Sequence, residues 1–228
     1  MKNGILDMLA KKYGTDKSSG IHDYCRKYEK YLPFERDQSL KIMEIGVLEG
    51  GSLKTWQDYF PNSQIVGIDI NPYCKAYEEN RIKIEIGSQT DKEFLLELSL
   101  MYGTFDMILD DGSHQNNDVI YSFEQLFKMV KSGGIYIIED THTSYYSEYG
   151  GGRYKKGSTI EYFKGIIDEI NFFGEVLEVV NSGGKIENFV FRKDQPLIDQ
   201  FMRKGYSYIG TQIESMNFLN SIIIITKR

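Results

Sequence analysis

Met107-Ile-Leu-Asp-Asp-Gly-Ser-His114 and Ile135-Tyr-Ile-Ile-Glu-Asp140 are the stretches whose reading decides the fold. Each is an apolar run that ends in carboxylates. Asp111 and Glu139 lie 28 positions apart, and Asp111 and Asp140 lie 29 apart. Such an interval holds one strand–helix–strand unit. Two parallel strands joined that way end on the same carboxyl edge of a sheet, where ligands bind. Asp111, Glu139 and Asp140 are therefore expected to converge. Three carboxylates at one point repel one another unless a hard divalent cation holds them. His114 follows the first of these candidate ligands by three residues.

Working outward, apolar strand-like runs alternate with helical patterns. Lys41 to Val47, Gln64 to Ile70, Ile82 to Ile86 and Asp106 to Asp110 read as strands. Residues 52–60, 91–101 and 116–131 read as helices, the last with Val119, Ile120, Phe123, Leu126 and Phe127 at core spacing. Ser132-Gly-Gly134 is expected to stop that helix and open the fifth strand. The alternation predicts an α/β fold with a mostly parallel sheet and helices on both faces. Residues 157–173 read as helical, and Ser215 to Leu219 with Ser221 to Thr226 as a closing hairpin. Between them, short strands are expected at residues 175–180 and 187–191 and a helix at 195–204.

The length, 228 residues, suits one domain with a sizeable core. A formal net charge of −6 speaks against nucleic acid or an anionic membrane as partner. No apolar stretch is long enough for a membrane span. The N-terminus lacks the pattern of a signal peptide. Cys25 and Cys74 form no ligand-like cluster and read as free thiols of a cytoplasmic protein.

The first strand ends in Glu44-Ile-Gly46 and runs through Gly50-Gly51-Ser52 into a helix. A glycine there lets a ligand approach the backbone, and the helix start offers free N–H groups. A dinucleotide fingerprint fails, because the position two beyond Gly46 is Leu48. Glu44 suits a cationic amino group, and Asp69 at the end of the second strand suits a pair of ribose hydroxyls. Gln89 and Thr90, at the end of the third strand, sit where an adenine edge is read. A nucleoside carrying an amino acid fits this set: S-adenosylmethionine. On the other side of the edge, Mg²⁺ on Asp111, Glu139 and Asp140 would acidify an acceptor hydroxyl, and His114 would remove its proton. A solvated strand end at Asp69 and an ordinary surface histidine at position 114 are the plainer readings of the same residues.

With these motifs in hand, the chain resembles the class I S-adenosylmethionine-dependent methyltransferases. More narrowly, it resembles the Mg²⁺-dependent macrolide sugar O-methyltransferases of the mycinamicin type. The matching segments include Lys12-Tyr-Gly-Thr-Asp-Lys17, His22-Asp-Tyr24, Glu44-Ile-Gly46, Gly50-Gly-Ser-Leu53, Gly67-Ile-Asp69, Gly87-Ser-Gln-Thr-Asp91, Asp110-Asp-Gly-Ser-His114 and Ile138-Glu-Asp140. The resemblance spans about residues 8–155 and returns at the C-terminal hairpin. It implies a Rossmann-like, seven-stranded methyltransferase fold with a C-terminal antiparallel hairpin. It implies Mg²⁺ ligands at Asp111, Glu139 and Asp140, and a general base at His114. It implies methyl-donor contacts at Glu44, Gly46, Ser52, Asp69, Gln89 and Thr90, with Thr15, Lys17 and Tyr24 on a segment that closes over the site.

The expected organisation is one methyltransferase domain over residues 1–228. Residues 1–36 form an N-terminal helical cap, residues 141–156 a substrate lid rich in glycine and tyrosine, and residues 175–206 an insertion. The acceptor expected from the resemblance is a sugar hydroxyl of a glycan or glycosylated natural product, and a homo-oligomer stays open. A catechol or phenol O-methyltransferase, or an inactive S-adenosylmethionine-binding protein, uses the same scaffold and stays open as well.

Overall fold

The structure, a computed structural model, describes residues 4–171 and 208–228. The strands expected at 175–180 and 187–191, the helix at 195–204 and the insertion at 175–206 lie outside these residues. Among the described residues, seven strands form one sheet: β1 (Lys41–Ile45), β2 (Gln64–Asp69), β3 (Ile82–Ile86), β4 (Phe105–Asp110), β5 (Val130–Ile138), β6 (Ile213–Leu219) and β7 (Ile222–Lys227). Their order is β3-β2-β1-β4-β5-β7-β6. The first five are parallel, and β7 runs antiparallel to both β5 and β6. This is the expected Rossmann-like methyltransferase fold with its closing hairpin. The direction of winding reverses between β1 and β4, so the crevice at their carboxyl ends is the place for a ligand.

The central strands are buried on both faces, as parallel strands under two helical layers must be. Alternate residues serve opposite cores. Ile42, Ile65, Met107, Ile137 and Ile224 pack under α1 (Ile5–Lys12), α2 (Tyr24–Tyr31) and α3 (Gly51–Tyr59). Met43, Val66, Ile108, Tyr136 and Ile223 pack under α4 (Lys92–Tyr102), α5 (Asn116–Leu126) and α6 (Thr159–Ile170). Glu44 has the parity of Ile42. It therefore points a carboxylate into the N-terminal helical layer, fully buried. A charge in a core strand costs stability unless it has a partner, so this position breaks the pattern around it.

The expected helix over 116–131 needs correction. It ends at Leu126, a short 3-10 turn covers Phe127–Met129, and β5 begins at Val130. Gly133 and Gly134 lie inside the strand rather than ahead of it. Phe127 and Met129 are buried, and Val130 pairs with Phe105 before a register shift that absorbs the glycines. Lys131 closes the irregularity with two 2.8 Å bonds to the Asp106 carboxylate. Among the described residues, no helix is long and apolar enough to cross a membrane.

The hydrogen-bond ladder runs one residue past the strand ends. The Asp111 N–H donates to the Ile45 carbonyl at 3.0 Å, the Gly46 N–H to Ile68 at 2.9 Å, and the Glu139 N–H to Asp110 at 3.0 Å. These bonds bring the end of β1 against the end of β4. Gly46 has φ +89°, and a Cβ there would lie 2.2 Å from the Asp111 carbonyl oxygen. Backbone on both sides leaves nothing to yield. Gly46→Ala should cost about 2 kcal/mol or more of stability, from the positive φ together with the clash. A lower denaturant midpoint at unchanged m-value would show it.

Candidate active site

Thr15, Lys17, Glu44, Gly46, Ser52, Asp69, Asp111, His114 and Asp140 line one cavity of about 400 Å³ at the β1/β4 crevice. Sequence positions separated by more than a hundred residues meet there. A second cavity of about 270 Å³ adjoins it across Gly46, Asp69 and Gly112, and Gln89 lines it with Ser88 and Asp118. Thr90 is exposed and bonds Ser88 instead of facing either cavity.

Asp69 ends β2 and accepts the Val47 N–H at 2.8 Å, the Leu48 N–H at 3.3 Å and the Asn71 N–H at 2.8 Å. Partial burial would raise its pKa, but these backbone donors outweigh burial and hold the carboxyl below its usual range. It remains an acceptor with lone pairs to spare. Glu44 accepts from the Ser52 hydroxyl at 2.9 Å through Oε2, whereas its buried Oε1 has no hydrogen-bond partner. Burial pushes the Glu44 carboxyl up to about 7.

The turn after β4 separates the two neighbouring aspartates by function. Asp110 is buried, accepting from Ser122 at 2.6 Å, Tyr136 at 3.2 Å and Gln89 at 3.3 Å, and burial raises its pKa to about 6. Gln89 also accepts the Ser113 N–H at 2.8 Å. The amide assigned to the methyl donor from sequence thus ties down the turn that carries Asp111 and His114. Asp111 faces the cavity, as expected. Ligand atoms of Asp111, His114 and Asp140 lie within 4.8 Å of one another. His114 Nε2 is 3.9 Å from Asp111 Oδ1 and 3.7 Å from Asp140 Oδ2. His114 and Asp140 both have positive φ, 57° and 50°.

Glu139 sits behind this trio. It is buried and accepts from the Tyr28 phenol through Oε1 and from the Lys17 ammonium at 2.8 Å through Oε2. Burial and the charge of Asp111 push its pKa well above the ordinary value despite Lys17 and Tyr28. Lys17 also binds Asp111 and lies 3.7 Å from Glu44. Burial alone would lower its pKa, but the three carboxylates hold it far above the usual value. Its backbone is equally fixed, because the Lys17 carbonyl accepts the first two N–H groups of α2, from Tyr24 and Cys25. Tyr24 does not line the cavity; its phenol donates to Asp140. Tyr28, one helical turn on, is a contact the sequence reading did not assign, although the i, i+4 spacing of the two tyrosines places both on one face of α2.

The donor set fits both groups expected from sequence. Two carboxylates that each turn an oxygen toward one point suit a divalent cation, and the imidazole beside them is left to take a proton. The buried Oε1 of Glu44 makes no hydrogen bond, with the Lys17 ammonium 3.7 Å away, and suits a cationic amine reaching it along the glycine-lined crevice.

No family model matches the chain. It is 38% identical over 179 residues to L-olivosyl-oleandolide 3-O-methyltransferase of Streptomyces antibioticus, covering 73% of this chain and 46% of that protein. It is 37% identical over 175 residues to mycinamicin VI 2''-O-methyltransferase of Micromonospora griseorubida, covering 72% of this chain and 44% of that protein. Among solved structures, the MycE methyltransferase of the mycinamycin pathway, in complex with Mg, SAH and mycinamycin VI, superposes with a TM-score of 0.79 at 29% identity. That match covers 99% of this chain and 54% of the other. The chain thus spans about half the length of the relatives it matches.

Glu44 gives the cavity a pH signature. Its folded pKa, about 7 against an ordinary 4.5, means that the folded state holds the proton more tightly than the unfolded state. Its stabilising contribution is complete below about pH 4.5 and is lost as pH rises through 7. Glu44→Gln lacks this loss. The stability of the variant relative to wild type should therefore climb by on the order of 3 kcal/mol between pH 4.5 and 8. Denaturant unfolding of both proteins across that range checks it.

Proposed function

We propose, from the premise that this chain is a homologue of the sugar O-methyltransferases and carries their Rossmann-like methyltransferase fold, that it transfers a methyl group from S-adenosylmethionine to a sugar hydroxyl with a divalent cation, Mg²⁺, as cofactor. The observation that carries this reading is the convergence of Asp111, His114 and Asp140 on the same cavity that holds Glu44, Gly46 and Asp69.

In this reading Glu44 receives the amino group of the donor's methionine part, and Asp69 its ribose hydroxyls. Gly46 and Ser52 line the approach along the end of β1, and Gln89 borders the adjoining cavity where the adenine lies. Thr15 and Lys17 close the cavity from the N-terminal side, with Tyr24 behind them. Asp111 and Asp140 would hold the cation, and Glu139, assigned with them from sequence, stands behind them with its oxygens on Lys17 and Tyr28. The cation supplies Lewis-acid polarisation of the acceptor hydroxyl. His114, whose Nε2 faces both aspartates, takes the hydroxyl proton as the oxygen–carbon bond forms. The carbon–sulfur bond breaks with its electron pair going to sulfur, and the proton stays on the imidazole. The protein's work is positioning and deprotonation.

Residues 141–156 form the acceptor lid. Tyr145 and Tyr146 are about half exposed beside the site, and Thr143 and Tyr149 contact the His114 region. Such rings suit the apolar face of a sugar. The unpaired buried thiols Cys25 and Cys74 suit a reducing compartment, the cytoplasm.

Transfer of labelled methyl from S-adenosylmethionine to a panel of glycosides and catechols, with Mg²⁺ or with chelator, tests the reading. Transfer should favour a glycoside and require the metal. His114→Ala and Asp111→Ala should each lower the rate at least 10²-fold while S-adenosylhomocysteine still binds. Wild-type rates in either variant, or transfer undiminished by chelator, would remove the mechanism; a preference for catechols would remove the sugar.

A further inference from the structure

We infer that Tyr24 is a positioning residue of the cation site, one that fixes the rotation of the Asp140 carboxylate so that its free oxygen faces Asp111 and His114. The inference rests on the cation reading above and goes beyond it.

The carboxylate oxygens of the two aspartates divide their labour. Asp111 gives Oδ2 to the Lys17 ammonium and turns Oδ1 toward His114 Nε2, 3.9 Å away. Asp140 repeats the arrangement from the other side. Its Oδ1 accepts the Tyr24 hydroxyl, and its Oδ2 lies 3.7 Å from the same Nε2. Each aspartate is gripped from behind on one oxygen and presents the other. Both grips come from the same short stretch, Lys17 and the first turn of α2, whose N–H groups cap on the Lys17 carbonyl.

The Asp140 backbone cannot supply this orientation alone. Its φ of 50° lies in the left-handed region, and the Thr143 N–H and hydroxyl bind its carbonyl at 2.9 and 2.8 Å. These bonds fix the main chain but leave the carboxylate free to rotate. His142 is the nearest other donor to Oδ1, but its Nδ1 is 3.9 Å away, too far for a hydrogen bond. Among the described residues the Tyr24 phenol is therefore the hydrogen-bond donor to Oδ1. The ring is itself packed in place: buried, stacked on His22 at 5.1 Å between centroids, and edge-on to Tyr28.

A partner that orients a metal ligand through its second oxygen is worth roughly 10-fold or more in metal affinity. Tyr24→Phe keeps the ring, the stack and the charge, and removes only the donor. Calorimetric titration of Mg²⁺ into wild type and Tyr24→Phe, with S-adenosylhomocysteine titrated into the same preparations, tests the inference. The Mg²⁺ dissociation constant should rise about 10-fold in the variant. That of S-adenosylhomocysteine should stay unchanged, because Tyr24 does not line the cavity. An unchanged Mg²⁺ affinity in a variant that still binds S-adenosylhomocysteine overturns the inference and leaves the cation reading intact. Equal weakening of both ligands also overturns it, by showing a general structural effect. No Mg²⁺ binding by wild type removes the cation reading first and this inference with it.

Discussion

Like-charge repulsion among Glu44, Asp111, Glu139 and Asp140 is the constraint around which the rest of the molecule is arranged. The sheet brings the ends of β1, β4 and β5 together, and each end carries carboxylate. Two of the four, Glu44 and Glu139, are almost wholly buried. Unpaired carboxylates in such a place cost several kcal/mol each. The protein offsets this with one buried ammonium and two buried phenols from a single N-terminal stretch. Lys17 meets Glu44, Asp111 and Glu139; Tyr28 meets Glu139; Tyr24 meets Asp140. The N-terminal segment is therefore part of the site's electrostatics as well as a cover for one face of the sheet. One ammonium still leaves the cluster net negative, which is the condition a divalent cation relieves.

Backbone strain gathers at the same place. Of the non-glycine residues with positive φ, Leu48, His114 and Asp140 line the cavity, and Asp23 starts the helix that bears Tyr24 and Tyr28. Each such residue costs on the order of 1 kcal/mol. Cores are not built from strained aspartates and histidines, and a cluster of them at a crevice marks a site whose geometry matters more than its stability. The winding of the sheet explains why both halves of the proposed chemistry share one cavity. β1 supplies the glycine-lined approach, β4 and β5 supply the carboxylates, and the reversal between β1 and β4 opens the crevice between them.

Much of this was legible in the chain itself. The central strands read plainly because buried parallel strands are short apolar runs with polar ends, as at Lys41–Ile45 and Phe105–Asp110. The start of β5 was misplaced because Gly133-Gly134 carries the signature of a helix stop, and pairing of Val130 with Phe105 overrode it. The partners of Lys17 were beyond local reading, since Asp111 and Glu139 lie 94 and 122 positions away. Gln89 was read as a contact for the methyl donor; its amide is engaged with Asp110, Ser122 and Ser113, a use that depends on how two loops cross. Tyr28 carried a signal in its four-residue spacing from Tyr24, but that spacing also describes an ordinary packed helix face.

The most direct measurement is the anomalous difference density of a crystal grown with Mn²⁺, which takes the oxygen ligands of Mg²⁺, and S-adenosylhomocysteine. The account predicts one strong peak between the Asp111 and Asp140 carboxylates beside His114. The sulfur of S-adenosylhomocysteine should lie in the same cavity, with its amino group on Glu44. A peak remote from Asp111 and Asp140, or a nucleoside bound away from Asp69 and Gly46, would contradict it.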